Sequence, residues 1–466
     1  MLSFSTSGPG LSRRSFLNVG TLALGGLSLP WLLETRAAAA KPVATDKSVI
    51  FLFQHGGPTQ IETFDPKMTA PEGIRSVTGE IATSIPGVTF GSTMAKLAPL
   101  AHKFSVVRSF TTGEGDHDIR PILCKETMMA NLGSIFARVA GLNHPRTGIP
   151  NNTAIFPEAV EPQPGQNILG AYGRFLATGA IGPAFAPFVP GLSSNLLRDM
   201  QVRLNPEVLN DRRALLSQFD TLRRDIDTSG AAEAWTRMQQ QAFDVIAKGV
   251  AHAFDLSKED AATLARYDTA PLVTFNSLPK DYNFRFFAHS MRALGKQLLL
   301  ARRLCEHGCG FVTVTTNMGW DMHGEGNAAL PVKEGMPLVA GPFDHAVAAF
   351  IQDLEARGLS DRIMLVACGE MGRTPRVNPK GGRDHWGKLA PLLVYGGGLR
   401  MGQVIGRSTS NAGEPATEPY HIRNLLCTIM HTLFDVGEIR TRRDLPVELI
   451  RFVTEGEPIR ELLPSR

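Results

Sequence analysis

The sequence predicts an α/β doubly wound fold, with a largely parallel sheet covered by helices on both faces. Three observations carry that expectation. Five apolar runs of strand length are spread along the chain, their apolarity is mostly continuous rather than alternating, and helical patterns lie between them. The runs are SVIFLF (48–53), FSVVRSF (104–110), GFVTVTT (310–316), DRIMLVAC (361–368) and APLLVYGGG (390–398). Continuous apolarity marks strands buried on both sides, the situation of a parallel sheet between helical layers.

The helices follow the same logic. Residues 284–306 and 344–357 are apolar at helical spacing, and Gly358 closes the second as a left-handed terminator. Residues 192–270 are rich in Arg, Asp, Gln and Ala, and read as a helical insertion packed on the sheet domain. The Pro-, Gly- and Phe-rich stretch 143–190 reads as a long ordered loop.

The beginning of the chain reads as an export signal. Arg13 and Arg14 precede an apolar segment from Val19 to about Leu33, and Ala37–Ala40 supplies an A-x-A site. The paired arginines point to the twin-arginine translocase as partner and to a periplasmic or otherwise exported protein. The apolar segment holds three glycines and a proline and is short for a membrane span, so no stable span is expected after cleavage; a retained anchor is the competing reading. Cleavage after Ala40 leaves one domain over 41–466 with a net charge of +2. That balance, without a block of like charge, excludes nucleic acid as a partner. The five cysteines are scattered and odd in number, which reads as buried single thiols.

In open α/β sheets, ligands bind beyond the carboxyl ends of the strands. The loops there are rich in ligand-type residues. His55, Glu62 and Asp65 follow the first run; Thr112, Asp116, His117 and Asp118 follow the second; Asp321 and His323 follow the third. Glu370 and Arg373 follow the fourth, with Arg383, Asp384 and His385 shortly after. An extended Asp-x-His points both side chains one way, so Asp321 and His323 read either as ligands of one divalent ion, with His385 as third, or as a capping aspartate beside a surface histidine. Arg373 reads either as an anion clamp or as an ion-pair partner of Glu370. His55 either supports the Gly-Gly turn or acts in the site. Glu62 and Asp65 either cap the next turn or act there, and Trp320 and Trp386 either line the site or pack. No G-x-S-x-G elbow, Walker A sequence or H-E-x-x-H occurs.

The ordered set QHGGPTQIETFDPK, VVRSF, GWDMHG, DRIMLVACGEMGRTPRVN, GGRDHWG and VYGGGLRMGQVIG resembles the DUF1501 family over about residues 47–440. That family in turn resembles the alkaline phosphatase and sulfatase superfamily. The resemblance implies a metal centre at the strand ends and hydrolysis of phosphate or sulfate esters. It implies Asp321, His323 and His385 as ligands of one metal, with Glu370 where a second metal has its aspartate. Thr112 stands in the region of the superfamily's nucleophile, and Gln54 where its first-strand aspartate would be. The mechanism implied has a divalent ion (Zn, Mn, Mg or Ca), Thr112 or a water attacking a small anionic ester, Arg373 neutralising its oxygens and His117 serving as acid or base. A non-catalytic exported binding or surface-associated protein is the alternative, and the missing first-strand aspartate favours it.

Overall fold

The computed structural model describes residues 43–161, 173–191, 250–273, 282–316, 318–324 and 330–464, with the side chains of 282–287 excepted. The expected signal peptide (1–40) and residues 192–249 of the expected insertion lie outside the described residues. Everything below belongs to the compact unit Ala44–Arg466.

Seven strands form the central sheet: β1 (Ser48–Gln54), β2 (Ser105–Val107), β3 (Asn152–Ile155), β4 (Phe311–Thr316), β5 (Ile363–Cys368), β6 (Leu392–Gly396) and β7 (Val404–Ile405). Their order is β7–β2–β6–β5–β1–β4–β3. β1 pairs in parallel with both β4 and β5, with Gln54 beside Thr316 and Phe53 beside Cys368. β3 is parallel to β4, and β7 to β2. β6 runs against both of its neighbours. The sheet is thus largely parallel, as expected.

Two expectations are corrected. The fifth run is antiparallel, because continuous apolarity reports burial on two faces and says nothing about direction. The stretch 143–190 is not all loop: β3 lies within it, and its Asn152 and Thr153 disguised an edge strand. β7 is only two residues long and carries no periodicity to read.

Helices cover both faces. On one side lie α3 (Tyr282–Glu306) and α4 (Val332–Arg357), against Ile50, Leu52, Val312, Val314, Leu365 and Ala367. On the other lie α2 (Leu132–Ala140), whose Phe136 meets the β4 entry at Gly310, and α5 (Ile422–Leu433). Between β1 and β2 sits the single turn α1 (Gln60–Thr63), capped by Thr59. α4 ends at Gly358 in the left-handed region, as expected, but begins twelve residues before the expected 344–357. Pro337 and Pro342 lie inside it and obscured that start, since each removes a helical N–H. All five cysteines are free and buried, as the scattered spacing suggested. Among the described residues no helix is long and apolar enough to cross a membrane.

The described end of the expected insertion packs on α3 through short helices at Ala251–Phe254 and Ala261–Tyr267. Arg303 donates to the Ala253 carbonyl at 3.2 Å, and the Tyr267 hydroxyl donates to Asp353 of α4 at 2.9 Å. The approach is closest at Gly295, where an added Cβ would stand 1.6 Å from the Tyr267 carbonyl oxygen. Backbone cannot yield as a flexible side chain can. Gly295→Ala is therefore expected to cost about 3 kcal/mol through overpacking, measured as a lowered urea midpoint with an unchanged m-value.

Candidate metal centre

The candidate centre forms where the carboxyl ends of β1, β4 and β5 meet. β1 runs into Gln54-His55-Gly56-Gly57. Gly56 sits at φ +109°, and a Cβ on it would lie 2.6 Å from the Asp321 backbone nitrogen. Only glycine lets the loop after β4 rest directly on the loop after β1. The Trp320 N–H donates to the His55 carbonyl at 3.3 Å and fixes that contact. Trp320 itself is fully buried, its ring 5.5 Å from Phe343 of α4. It packs.

The antiparallel direction of β6 has a consequence here. β6 starts at the carboxyl edge, so the chain between β5 and β6 stays at that edge. It forms a short ribbon in which Gly372–Arg373 pairs with His385–Trp386, placing His385 directly across from Arg373. Both reach Asp321 Oδ1, Arg373 Nη2 at 2.7 Å and His385 Nε2 at 3.3 Å.

Arg373 is neither the open anion clamp nor the Glu370 partner that its sequence position suggested. It is 1% exposed. Its Nε donates to the Gly57 carbonyl at 2.8 Å, Nη1 to the Arg383 carbonyl at 3.2 Å, and Nη2 to the Gly56 carbonyl as well as to Asp321. The guanidinium fork is spent on the chain's own groups and welds three loops together. Gln60 adds a further tie, accepting from the Arg373 N–H at 3.0 Å and donating to the Arg373 carbonyl at 2.8 Å.

Asp321 gathers three imidazoles. His117 Nε2 lies 3.6 Å from Oδ2, His323 Nε2 lies 3.4 Å from Oδ2, and His385 Nε2 lies 3.3 Å from Oδ1. The His117 and His385 rings stand edge to face with centroids 4.5 Å apart. The other nitrogen of His117, Nδ1, donates to Glu370 Oε1 at 2.7 Å, and that oxygen also accepts from the Gly56 N–H at 2.9 Å. Burial pushes the Asp321 carboxyl up, but His117, His385 and Arg373 outweigh it and hold the group well below the usual carboxylate range. Burial likewise opposes charge on His117, yet the facing carboxylates of Asp321 and Glu370 win and raise it to about 9. His55 is pushed down, chiefly by burial.

These spacings fit a divalent cation. Two donors each about 2.1 Å from one ion at the tetrahedral angle stand roughly 3.4 Å apart, the separation at which the imidazoles meet Asp321. His117, Asp321 and His385 offer atoms all within 4.8 Å of one another, as do His55, His117 and Glu370. Glu370 Oε2 and His55 Nδ1 are buried without a hydrogen-bond partner in the structure. A buried orphan carboxylate oxygen is what a cationic neighbour would satisfy.

The arrangement departs from the sequence expectation in its roles. Asp321, His323 and His385 do come together. One candidate set, however, includes His117, expected as acid or base, in place of His323, whose Nε2 lies 3.4 Å from Asp321 and whose ring stands 5.9 Å from that of His385. Glu370, expected as a ligand, contacts His117 and joins it and His55 in the second candidate set. Thr112 is buried, its hydroxyl 3.5 Å from the Glu114 carbonyl, and it lines a separate cavity with Glu114, Arg120 and Arg174. Asp384 accepts from Asn378 at 2.8 Å and takes no part.

One element escaped the sequence altogether. Arg383 and Glu62 are both fully buried and paired at 2.9 Å. Arg383 also donates to the Ile74 carbonyl at 2.9 Å, while its own N–H donates to the Met322 carbonyl at 3.0 Å. Glu62 accepts from the Val77 N–H at 3.2 Å and from Thr78 Oγ1 at 3.1 Å. The pair fastens the strand-end loops to one another, and no local pattern reveals partners 321 residues apart. Asp65, read as a possible cap, instead faces Arg108 at 3.5 Å and Lys67 at 3.2 Å. Arg383→Met strands the Glu62 charge and is expected to cost about 3–5 kcal/mol, checked by denaturant unfolding.

Residues 46–463 match the model of a family described as "Protein of unknown function (DUF1501)". No curated protein matches the chain. Among solved structures, the PsFucS1 sulfatase from Pseudoalteromonas sp. is similar at 11% identity and a TM-score of 0.35, covering 90% of this chain and 71% of that one. The phosphonate monoester hydrolase SpPMH from Silicibacter pomeroyi is similar at 11% identity and a TM-score of 0.36, covering 83% and 73%. The alkaline phosphatase of the Antarctic bacterium TAB5 is similar at 11% identity and a TM-score of 0.26, covering 76% and 92%.

Proposed function

The chain belongs to the DUF1501 family, and we propose that it is an exported, metal-dependent hydrolase of phosphate or sulfate esters. The observation that carries the metal reading is the ring of three imidazole nitrogens 3.3–3.6 Å from the Asp321 oxygens. In this reading Asp321, His117 and His385 hold the ion. Glu370 is the carboxylate behind His117, fixing its tautomer and aiming Nε2 inward. Imidazole-rich donors suit a borderline transition ion such as zinc better than magnesium or calcium.

A bound ion would supply Lewis-acid polarisation of the ester and a more acidic water. The chain's own residues supply the rest. Arg373 orients Asp321 and closes the Gly56–Gly57 turn beneath it. Among the described residues Asp321 is the one ion-pair partner of the His323 imidazole, so in this reading His323 is the imidazole left to hold a proton at Nε2 for the leaving group. On residues 12–40, export would run through the twin-arginine translocase.

A second reading, an exported binding protein without turnover, is favoured by a specific observation. The Arg373 fork makes four bonds within the chain, and the Thr112 hydroxyl faces a backbone carbonyl, so two of the three expected catalytic groups are already engaged.

The test is a panel of phosphate and sulfate monoesters and phosphonate monoesters, offered to protein loaded with zinc or manganese. Turnover that disappears with chelation and returns with metal is expected. No turnover of any ester by protein that retains its ion leaves the binding reading. Separately, Glu370→Gln keeps the shape behind His117 but weakens the charge on its N–H, and is expected to lower metal affinity about 10–100-fold, read by competition with a chromogenic chelator. Unchanged affinity would remove Glu370 from that role.

A further inference from the structure

Trp386 is the aromatic that the metal centre leaves unused. We propose that the groove it lines is a subsite for a sugar ring, which makes the alcohol part of the ester a carbohydrate. Its place in catalysis rests on the hydrolase reading; its binding does not.

Trp386 follows His385 on the ribbon and is half-buried, unlike the fully packed Trp320. It opens onto a groove of about 470 Å³, lined also by Pro375, Thr409, Asn411, Gly413 and Glu414. The lining chemistry is selective. It offers one large aromatic surface, surrounded by the hydroxyls of Thr409 and Ser410, an amide and a carboxylate, with no aliphatic wall beyond Pro375. A hydroxylated ring presents apolar C–H faces and a rim of donors and acceptors, and needs both kinds of surface at once. A purely apolar ligand would leave the rim groups unpaired.

The groove is also preorganised. The Trp386 indole N–H donates to the Gly413 carbonyl at 2.7 Å, which fixes the ring. Asn411 Oδ1 accepts from Thr409 Oγ1 at 2.8 Å and from the Gly413 N–H at 3.0 Å. That leaves the exposed Asn411 amide nitrogen for a ligand hydroxyl. Lys388, 56% exposed on its side chain, pairs with Glu414 and holds its ammonium over the indole ring, 5.5 Å from the centroid, so a sugar ring would take this side chain's place on the indole face. Gln60 Nε2 donates to both the Arg373 carbonyl, at 2.8 Å, and the Ala412 carbonyl, at 3.0 Å. One amide therefore ties the ribbon that carries His385 to the loop that forms the groove, so a ring seated on Trp386 has a fixed relation to the centre.

The experiment is calorimetry and saturation-transfer NMR with methyl β-D-glucoside, methyl β-D-galactoside and methyl α-D-mannoside, with glycerol as the acyclic control. Metal-loaded and chelated protein are both used. At least one glycoside is expected to bind saturably to both forms, while glycerol does not. Trp386→Ala is expected to weaken that binding about tenfold or more, and Trp386→Phe much less. Asn411→Asp, which keeps the Oδ1 acceptor for Thr409 and the Gly413 N–H and removes the amide nitrogen, is expected to weaken the same glycoside. Failure of every glycoside to bind, or binding indifferent to both Trp386→Ala and Asn411→Asp, overturns the subsite. Glycoside binding without turnover of any ester defeats the hydrolase reading and leaves the subsite standing; turnover without glycoside binding does the reverse.

Discussion

The contact between Arg373 and Asp321 is the constraint around which the strand-end region is built. A carboxylate largely withdrawn from water, with three imidazoles at its oxygens, is costly to keep charged unless fixed positive groups face it. Arg373 is such a group, and it is itself buried with each branch of its fork bonded to the chain. Because that fork also grips the Gly56 and Gly57 carbonyls, the loop after β1, the loop after β4 and the ribbon after β5 cannot shift independently. The buried Arg383–Glu62 pair repeats the device one layer out. Two buried arginines thus spend their charge on positioning, leaving the imidazoles and Glu370 to face whatever binds.

Sheet direction makes that arrangement possible. The parallel strands β1, β4 and β5 deliver His55, Asp321 and Glu370 to one edge. A parallel β6 would have required a crossover to the far edge before it began. Running antiparallel, β6 lets residues 369–391 remain where the chemistry is, and the two-residue ribbon sets His385 opposite Arg373. His117 arrives on the loop after β2 and ends against Glu370, a residue 253 positions away.

Much of this was legible in the sequence. Buried strands announce themselves by continuous apolarity, and strand-end loops by glycine beside ligand-type residues, so the α/β sheet and its loaded edge could be read without coordinates. The Asp-x-His spacing marked Asp321 and His323 for the same reason. Strand direction was not legible, since apolarity carries no polarity of chain. Nor was the meeting of His117 with both Asp321 and Glu370. Those depend on which loop lies over which, and are set by long-range contacts such as the Trp320–His55 backbone bond and the Arg383 fork. An arginine in a strand-end loop looks alike in sequence whether it clamps a substrate or braces a carboxylate; only burial and the saturation of its donors tell the two apart.

X-ray absorption at the metal edge of the purified mature protein tests the central claim most directly. The account predicts about one tightly held transition ion per chain, with a first shell of nitrogen and oxygen near 2.0–2.1 Å and the outer-shell scattering of at least two imidazoles, lost on His385→Ala. A folded protein that takes up no ion, or an ion surrounded only by oxygen with no imidazole signal, would contradict it. The gathering of histidines around Asp321 would then have to be explained by their ion pairs alone.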